Sequence, residues 1–169
     1  GYQIKTQSNY GYLELKELNM FNEQNISKLM EQSSICINLI GILYEKKENQ
    51  FNLIHSDLPS LLSKIASKKS LKQFIHVSAL GVENAIDSRY ASSKLDGEKK
   101  VRENFPNAII LKPSIVYSVD DNFTTNFMRL LSILPVMPLY YSGKTKFTPI
   151  HVSDFADIIF NIIQKRMNG

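Results

Sequence analysis

Tyr90 and Lys94 lie four residues apart in the stretch 88–105, SRYASSKLDGEKKVRENF. In a helix that spacing sets both side chains on one face. A phenol titrates near pKa ~10 and is a poor base at neutral pH. A neighbouring ammonium favours the phenolate and brings that value down. Each unit of lowering takes about 1.4 kcal/mol of differential interaction. A Lys one turn away supplies part of it, most effectively in a dry cleft. The pair could therefore take up and return a proton. The pattern YxxxK is also ordinary on an exposed helix, so its surroundings must decide.

The remaining reactive side chains read more plainly. His76 lies on an apolar stretch and reads as a core histidine, while His55 and His151 have no carboxylate or cysteine at metal-ligand spacing, so no metal is implied. Ser92 and Ser93 read as solvent-facing, and Ser78 as a strand-end hydroxyl. Cys36 is the only cysteine and cannot form an internal disulfide, which suits a reducing compartment.

The elements that must carry Tyr90 and Lys94 follow from periodicity. Hydrophobic stretches flank the helix, QFIHVSAL at 73–80 and AIILKPS at 108–114, with the second strand expected to run to Val116. Together they predict a βαβ unit. Upstream, 12–18 (YLELKEL) alternates like a strand, and 22–33 suits a short helix capped by Asn22 with Ile26, Leu29 and Met30 on one face. The run SICINLIGIL at 34–43 predicts a strand buried on both faces of a parallel sheet. Residues 51–67 read as a helix along Ile54, Leu58, Leu61, Leu62 and Ile65, with Pro59 a kink or the true start. Residues 123–134 read as an amphipathic helix, 146–150 as a short strand, and 154–165 as a last helix capped by Ser153. The alternation predicts an α/β fold with a parallel sheet.

At 169 residues, with 43% hydrophobic and 21% charged residues, the chain suits one soluble domain with a real core. No apolar run reaches the roughly 18 residues of a membrane span. The net charge of +4 comes mostly from scattered lysines set beside Glu, Asp or Ser. No basic stripe alternates with aromatics, so a nucleic-acid groove is not implied. Excess Lys, Asn and Ile is what an AT-rich genome produces.

Ligands of parallel sheets sit beyond the carboxyl ends of the strands. That rule selects Asn19 and Met20, Asn38 with Leu39 and Gly41, Ser78 and Ala79, and the stretch from Pro113 through Ile115 to Tyr117. The phrases INLIG, FIHVSA, RYASSK, KPSIVY and PIHVSDFA occur in that order. This set resembles the extended or atypical short-chain dehydrogenase/reductases, the NAD-dependent epimerase/dehydratase group. Within the group the chain looks most like the dinucleotide-binding accessory subunits of respiratory complex I and their bacterial homologues, through INLIG and GEKKVRENFPNAIILKPS.

The resemblance implies a partial Rossmann-like domain over 1–169 that binds NAD or NADP. It makes Tyr90 the general base. Lys94 would hold the nicotinamide ribose hydroxyls and lower the Tyr90 pKa. Asn19 and Met20 would end a strand near the adenine, and Asn38, Leu39 and Gly41 would line the adenosine side, although Gly41 reads equally as a turn glycine. Pro113 and Ile115 would pass beneath the nicotinamide, Asp154 would fix a helix start, and Gly97 would let its helix pack closely on the sheet. Implied partners are complex I subunits; the apolar stretch 127–141 reads as the contact region for a partner or a membrane surface, or alternatively as the cover of the cofactor's nicotinamide end. The implied location is cytoplasmic or peripheral to the inner membrane.

Two departures temper this. Glycines occur at 1, 11, 41, 81, 97, 143 and 169, and no GxGxxG can be assembled from them. The family's pyrophosphate loop would lie upstream of Gly1, so the chain reads as a fragment whose open sheet edge invites a missing N-terminal piece or another copy. The family also places two adjacent hydroxyl residues after the strand, the second of which acts. Here they read Ser78-Ala79, so the acting position holds Ala79; Ser78 is the catalytic candidate to substitute for it, although its side chain should point to the other strand face. The expectation is therefore an accessory protein with a structural dinucleotide. The alternative is an active epimerase, dehydratase or reductase on a nucleotide-sugar or similar alcohol.

Overall fold

The computed structural model describes residues 14–118 and 148–167. Three parallel strands form the main sheet in the order β1 (Ile35–Asn38), β2 (Gln73–Val77), β3 (Ile109–Leu111). Cys36 pairs with Phe74, Asn38 with His76, and Val77 with Leu111. The β2–β3 pairing continues past the strands, with Ser78 N donating to Leu111 O and Leu80 N to Pro113 O. β1 is an edge of this sheet among the described residues. A second pair, β4 (Val116–Tyr117) and β5 (Ile150–His151), is also parallel.

Helix α1 (Glu23–Glu31) begins where Asn22 accepts from the Asn25 amide at 3.0 Å, as its sequence predicts. It packs on the next long helix, which links β1 to β2. That connection starts as α2 (Gln50–Asn52), widens into a π-turn (Leu53–Asp57) and continues as α3 (Leu58–Lys68). Pro59 explains the widening. It has no N–H for the carbonyl of His55 four residues back, and the Leu58 amide instead reaches Leu53 O, five residues back. The helix α4 (Arg89–Asn104) links β2 to β3 and packs along α3. The core joins the three helices to the sheet through Ile26, Met30, Ile65, Phe74 and Val101.

Several expectations change. Residues 14–18 carry no strand pairing, so the strand expected over 12–18 is absent from its described part. Of the run 34–43 only Ile35–Asn38 is a strand, and Leu39 and Leu43 are 63% and 73% exposed. The expected strand at 108–116 divides into β3 and β4, because 112–115 leaves one sheet for the other. The last helix, α5 (Val152–Met167), begins before Ser153. The Ser153 amide donates to His151 Nδ1 at 3.3 Å, so His151 supplies the cap. The helix expected at 123–134 and the apolar stretch 127–141 lie outside the described residues.

Candidate functional site

The carboxyl ends of β1 and β2 meet α4 and the π-turn. α4 carries Ala91, Ser93, Lys94, Gly97, Glu98 and Val101 inward, a stripe at helical period. Ser88 caps its start, accepting from the Ala91 amide at 3.5 Å. Tyr90 is half-buried. Its ring meets His55 edge-on at 5.1 Å and Phe51 at 5.7 Å, while Phe51 stacks on His55 at 5.3 Å. Lys94 is only 6% exposed. Its Nζ donates to Val77 O at 3.3 Å and stands 5.9 Å from the centroid of the Tyr90 ring.

Tyr90 and Lys94 therefore do share a face. Their electrostatics differ from expectation. Burial raises the Tyr90 phenol above its ordinary value. Burial also holds the Lys94 ammonium below its ordinary value, with Glu98 pulling part of the way back. Lys94 stands over the ring and is bonded to a strand carbonyl, and burial decides the direction of the phenol's shift.

A buried hydrogen-bond system backs the pair. Asn38 Nδ2 donates to His76 Nδ1 at 3.2 Å, and Asn38 Oδ1 accepts from the Ile40 amide at 3.1 Å. His55 Nε2 accepts from the Ile42 amide at 3.0 Å, and its Nδ1 lies 3.0 Å from Ser93 Oγ. Ser93 Oγ donates to Tyr90 O at 2.8 Å. Burial, then the charge of Lys94, pushes both His55 and His76 down to about 4, so both rings are neutral. Accepting at Nδ1 places the His76 proton on Nε2, and that buried atom has no partner among the described residues. Ser78 Oγ and Glu98 Oε1 are likewise buried without a partner among the described residues. Glu98 Oε2 meets Lys112 Nζ at 2.9 Å.

Other sequence-derived residues fall as follows. His76 is the core histidine expected. Ser93, read as solvent-facing, is buried inside this system; its place in the stripe Tyr90, Ser93, Lys94, Gly97 was the signal that pointed inward. Asn38 is buried and spends its amide on His76 and Ile40, whereas Leu39 and Gly41 are exposed. Pro113 and Ile115 are half-buried and use their carbonyls on the Leu80 and Ile150 amides. Asn19 and Met20 are exposed before α1, where Asn19 Oδ1 accepts from the Phe21 amide at 3.1 Å. They end no strand. Gly97 packs on the π-turn and not on the sheet, since a Cβ there would lie 1.8 Å from His55 O. His55 is the residue that sequence reasoning passed over. An open groove of about 700 Å³ along the outer side of α4, lined by Ser92, Asp96 and Arg102 among others, lies apart from this site.

Residues 83–169 match the family described as RmlD substrate binding domain, which covers α4, β3 and the second strand pair. The chain belongs to that family, in the epimerase/reductase branch of the short-chain dehydrogenase/reductases. It is 30% identical over 158 residues to the mouse NADH dehydrogenase [ubiquinone] 1 alpha subcomplex subunit 9, mitochondrial, a match covering 94% of this chain and 42% of that protein. It therefore spans about two fifths of that relative's length. Among solved structures it resembles a dTDP-4-dehydrorhamnose reductase from Clostridium acetobutylicum, with TM-score 0.72 and 20% identity, covering 90% of this chain and 60% of that one. The Bacillus anthracis dTDP-4-dehydrorhamnose reductase, solved with NADP, gives TM-score 0.64 and 15% identity over 87% of this chain and 59% of that one. At these identities the solved neighbours establish the fold: a Rossmann-like α/β unit. No helix among the described residues is long and apolar enough to cross a membrane.

Proposed function

We propose that residues 1–169 form part of a nicotinamide dinucleotide-binding domain whose bound NAD or NADP is structural, in an accessory-type protein of a respiratory NADH dehydrogenase. The observation that carries this reading is the state of the Tyr90–Lys94 pair. The phenol is raised by burial, its ammonium neighbour is engaged with Val77 O, and Ala79 stands where a second hydroxyl would act. The similarity to the mouse NADH dehydrogenase subunit over 94% of the chain supports the partner.

The residues present fit the nicotinamide-ribose end of such a cofactor. Among the described residues Lys94 Nζ makes one hydrogen bond, which leaves N–H donors for ribose hydroxyls at the strand ends. Gly41 brings bare backbone beside it, since a Cβ there would lie 3.4 Å from Lys94 Nζ. Tyr90, Pro113 and Ile115 would border the nicotinamide, and Leu39 and Gly41 the adenosine side. When bound, the dinucleotide can exchange a hydride. The edge of β1, open among the described residues, suits a further strand from another segment, or a second copy.

A second reading, an active reductase, epimerase or dehydratase on a nucleotide-sugar or similar alcohol, is favoured by Tyr90 and Lys94 sharing one face of α4. The full-length protein separates the two. Fluorescence titration with NADPH and NADH should show binding that Lys94→Met weakens and Tyr90→Phe leaves intact. Co-purification with respiratory-chain subunits should survive Tyr90→Phe. Cofactor turnover with an alcohol, abolished by Tyr90→Phe, would overturn the structural-cofactor reading.

A further inference from the structure

We propose that His55 is a positioning residue: it latches the loop after β1, residues 39–42, to α4, so that the backbone beside Lys94 and the turn bearing Tyr90 are held as one unit. The inference deepens the dinucleotide reading above and, for its effect on binding, rests on it.

Three independent features converge on this side chain. The first is its hydrogen bonding. The Ile42 amide can only donate, so His55 Nε2 must carry a lone pair, and the ring proton sits on Nδ1. Nδ1–H then donates to Ser93 Oγ, whose own proton goes to Tyr90 O. Donors and acceptors alternate without conflict from the loop amide, through the imidazole and the hydroxyl, to the helix carbonyl. The ring is 1% exposed and stacks on Phe51.

The second feature is the backbone that aims it. His55 lies within the π-turn, whose extra residue shifts side-chain direction relative to a regular helix. Pro59 cannot donate to His55 O, and Gly97 admits that carbonyl against α4. The residue is thus held by its carbonyl and by its ring against the same helix.

The third feature is what the latch holds. Gly41 lies between the Lys94 ammonium and the neutral His55 ring: a Cβ there would meet Lys94 Nζ at 3.4 Å and His55 Nε2 at 3.8 Å. Asn38 fixes the near end of the loop through the Ile40 amide, and His55 fixes the far end through Ile42. Loss of the second bond frees the loop at the point nearest Lys94.

The test uses the full-length protein. Nitrogen NMR of 15N-histidine-labelled wild type should show His55 protonated at Nδ1 and bare at Nε2 near neutral pH. The opposite tautomer would overturn the latch, and this reading needs no variant to fold. Asn mimics the Nδ1 position and Gln the Nε2 position. His55→Asn should therefore speed hydrogen exchange of the Ile42 amide at least about tenfold, whereas His55→Gln should largely retain protection. Titration with NADPH and NADH should show about tenfold weaker binding for His55→Asn and near wild-type binding for His55→Gln. Equal binding in all three proteins would refute the positioning role and leave the dinucleotide reading standing. Failure of wild type to bind either nucleotide, with the tautomer and exchange pattern as expected, would refute the dinucleotide reading and leave the loop-to-helix latch standing.

Discussion

Gly97→Ala sets two physical arguments against each other. Ala is the better helix former, by about 1 kcal/mol over Gly, so propensity alone predicts stabilisation. The packing predicts the reverse. The new Cβ would lie 1.8 Å from His55 O, 3.0 Å from His55 C and 3.4 Å from Ser56 Cα. Two of those atoms belong to one backbone carbonyl group, and no side-chain rotation relieves the contact. Restoring normal separation requires α4 to withdraw from the π-turn by roughly 1.5 Å. A gap of that size forfeits a large part of the dispersion attraction across the seam, and overpacking of this kind costs about 3 kcal/mol. The same withdrawal stretches polar contacts that cross the seam. Those include Lys100 Nζ to Ser56 Oγ at 2.7 Å, Asn104 Nδ2 to Ser60 O at 3.2 Å, and His55 Nδ1 to Ser93 Oγ at 3.0 Å. Loss of one is worth about 1 kcal/mol. The expected net effect is destabilisation by about 3 kcal/mol, read from urea denaturation followed by circular dichroism with the slope unchanged. Pro59→Ala returns an N–H to His55 O and can draw that carbonyl back into its own helix. The double variant should therefore cost less than the sum of the two single changes. A Gly97→Ala protein as stable as wild type, or more stable, would refute the close approach.

Other outcomes follow from the same site. Ser78 Oγ is buried without a partner among the described residues, so Ser78→Ala should be neutral or stabilising by about 1 kcal/mol in the same assay, and a loss of 2 kcal/mol or more (about twice the worth of one ordinary bond) would mean the hydroxyl is engaged. Lys94→Met removes a buried ammonium held by one strand carbonyl. It should leave stability unchanged or raise it by about 1 kcal/mol while weakening NADPH binding at least about tenfold, and unchanged binding would remove Lys94 from the site. His55 and His76 stay neutral in the fold down to about 4, whereas a free imidazole protonates near ~6.5. Below that value the unfolded chain binds protons that the folded chain refuses. Stability should therefore fall as pH drops from about 6.5 toward about 4, by on the order of 3 kcal/mol per histidine, and level off beneath. Urea midpoints that stay flat between pH ~7 and ~5 would contradict the buried neutral rings.

Much of the architecture was legible in the chain because it depends on local chemistry. Asn22 ahead of an amphipathic segment marked α1, QFIHVSAL marked the central strand, and the spacing of Tyr90 and Lys94 placed both on the inner face of α4. Pro59 announced a disturbance in the second helix, although not that the helix would continue through it as a π-turn. Where expectation failed, the deciding factor was distant. The run SICINLIGIL looks like one long buried strand, yet pairing with β2 covers only its first half, and the remainder turns at Asn38 and is held by His55. Asn19 and Met20 follow a segment with strand-like alternation that finds no partner strand among the described residues.

The sequence by itself determined the strand–helix–strand unit around α4, the shared face of Tyr90 and Lys94 and the family to which the chain belongs. These depend on period, capping and motif, all of which are written within a few residues of one another. The tertiary structure alone decided what the Tyr90–Lys94 pair is worth. Burial raises the phenol where the spacing had implied it would fall, while Lys94 Nζ is engaged with the carbonyl of Val77. It alone showed that His55, 35 residues before Tyr90 in the chain, ties the loop to α4. A pKa depends on desolvation and on charges within a few ångströms, and a hydrogen-bond relay on three segments meeting. Neither is encoded in any single stretch.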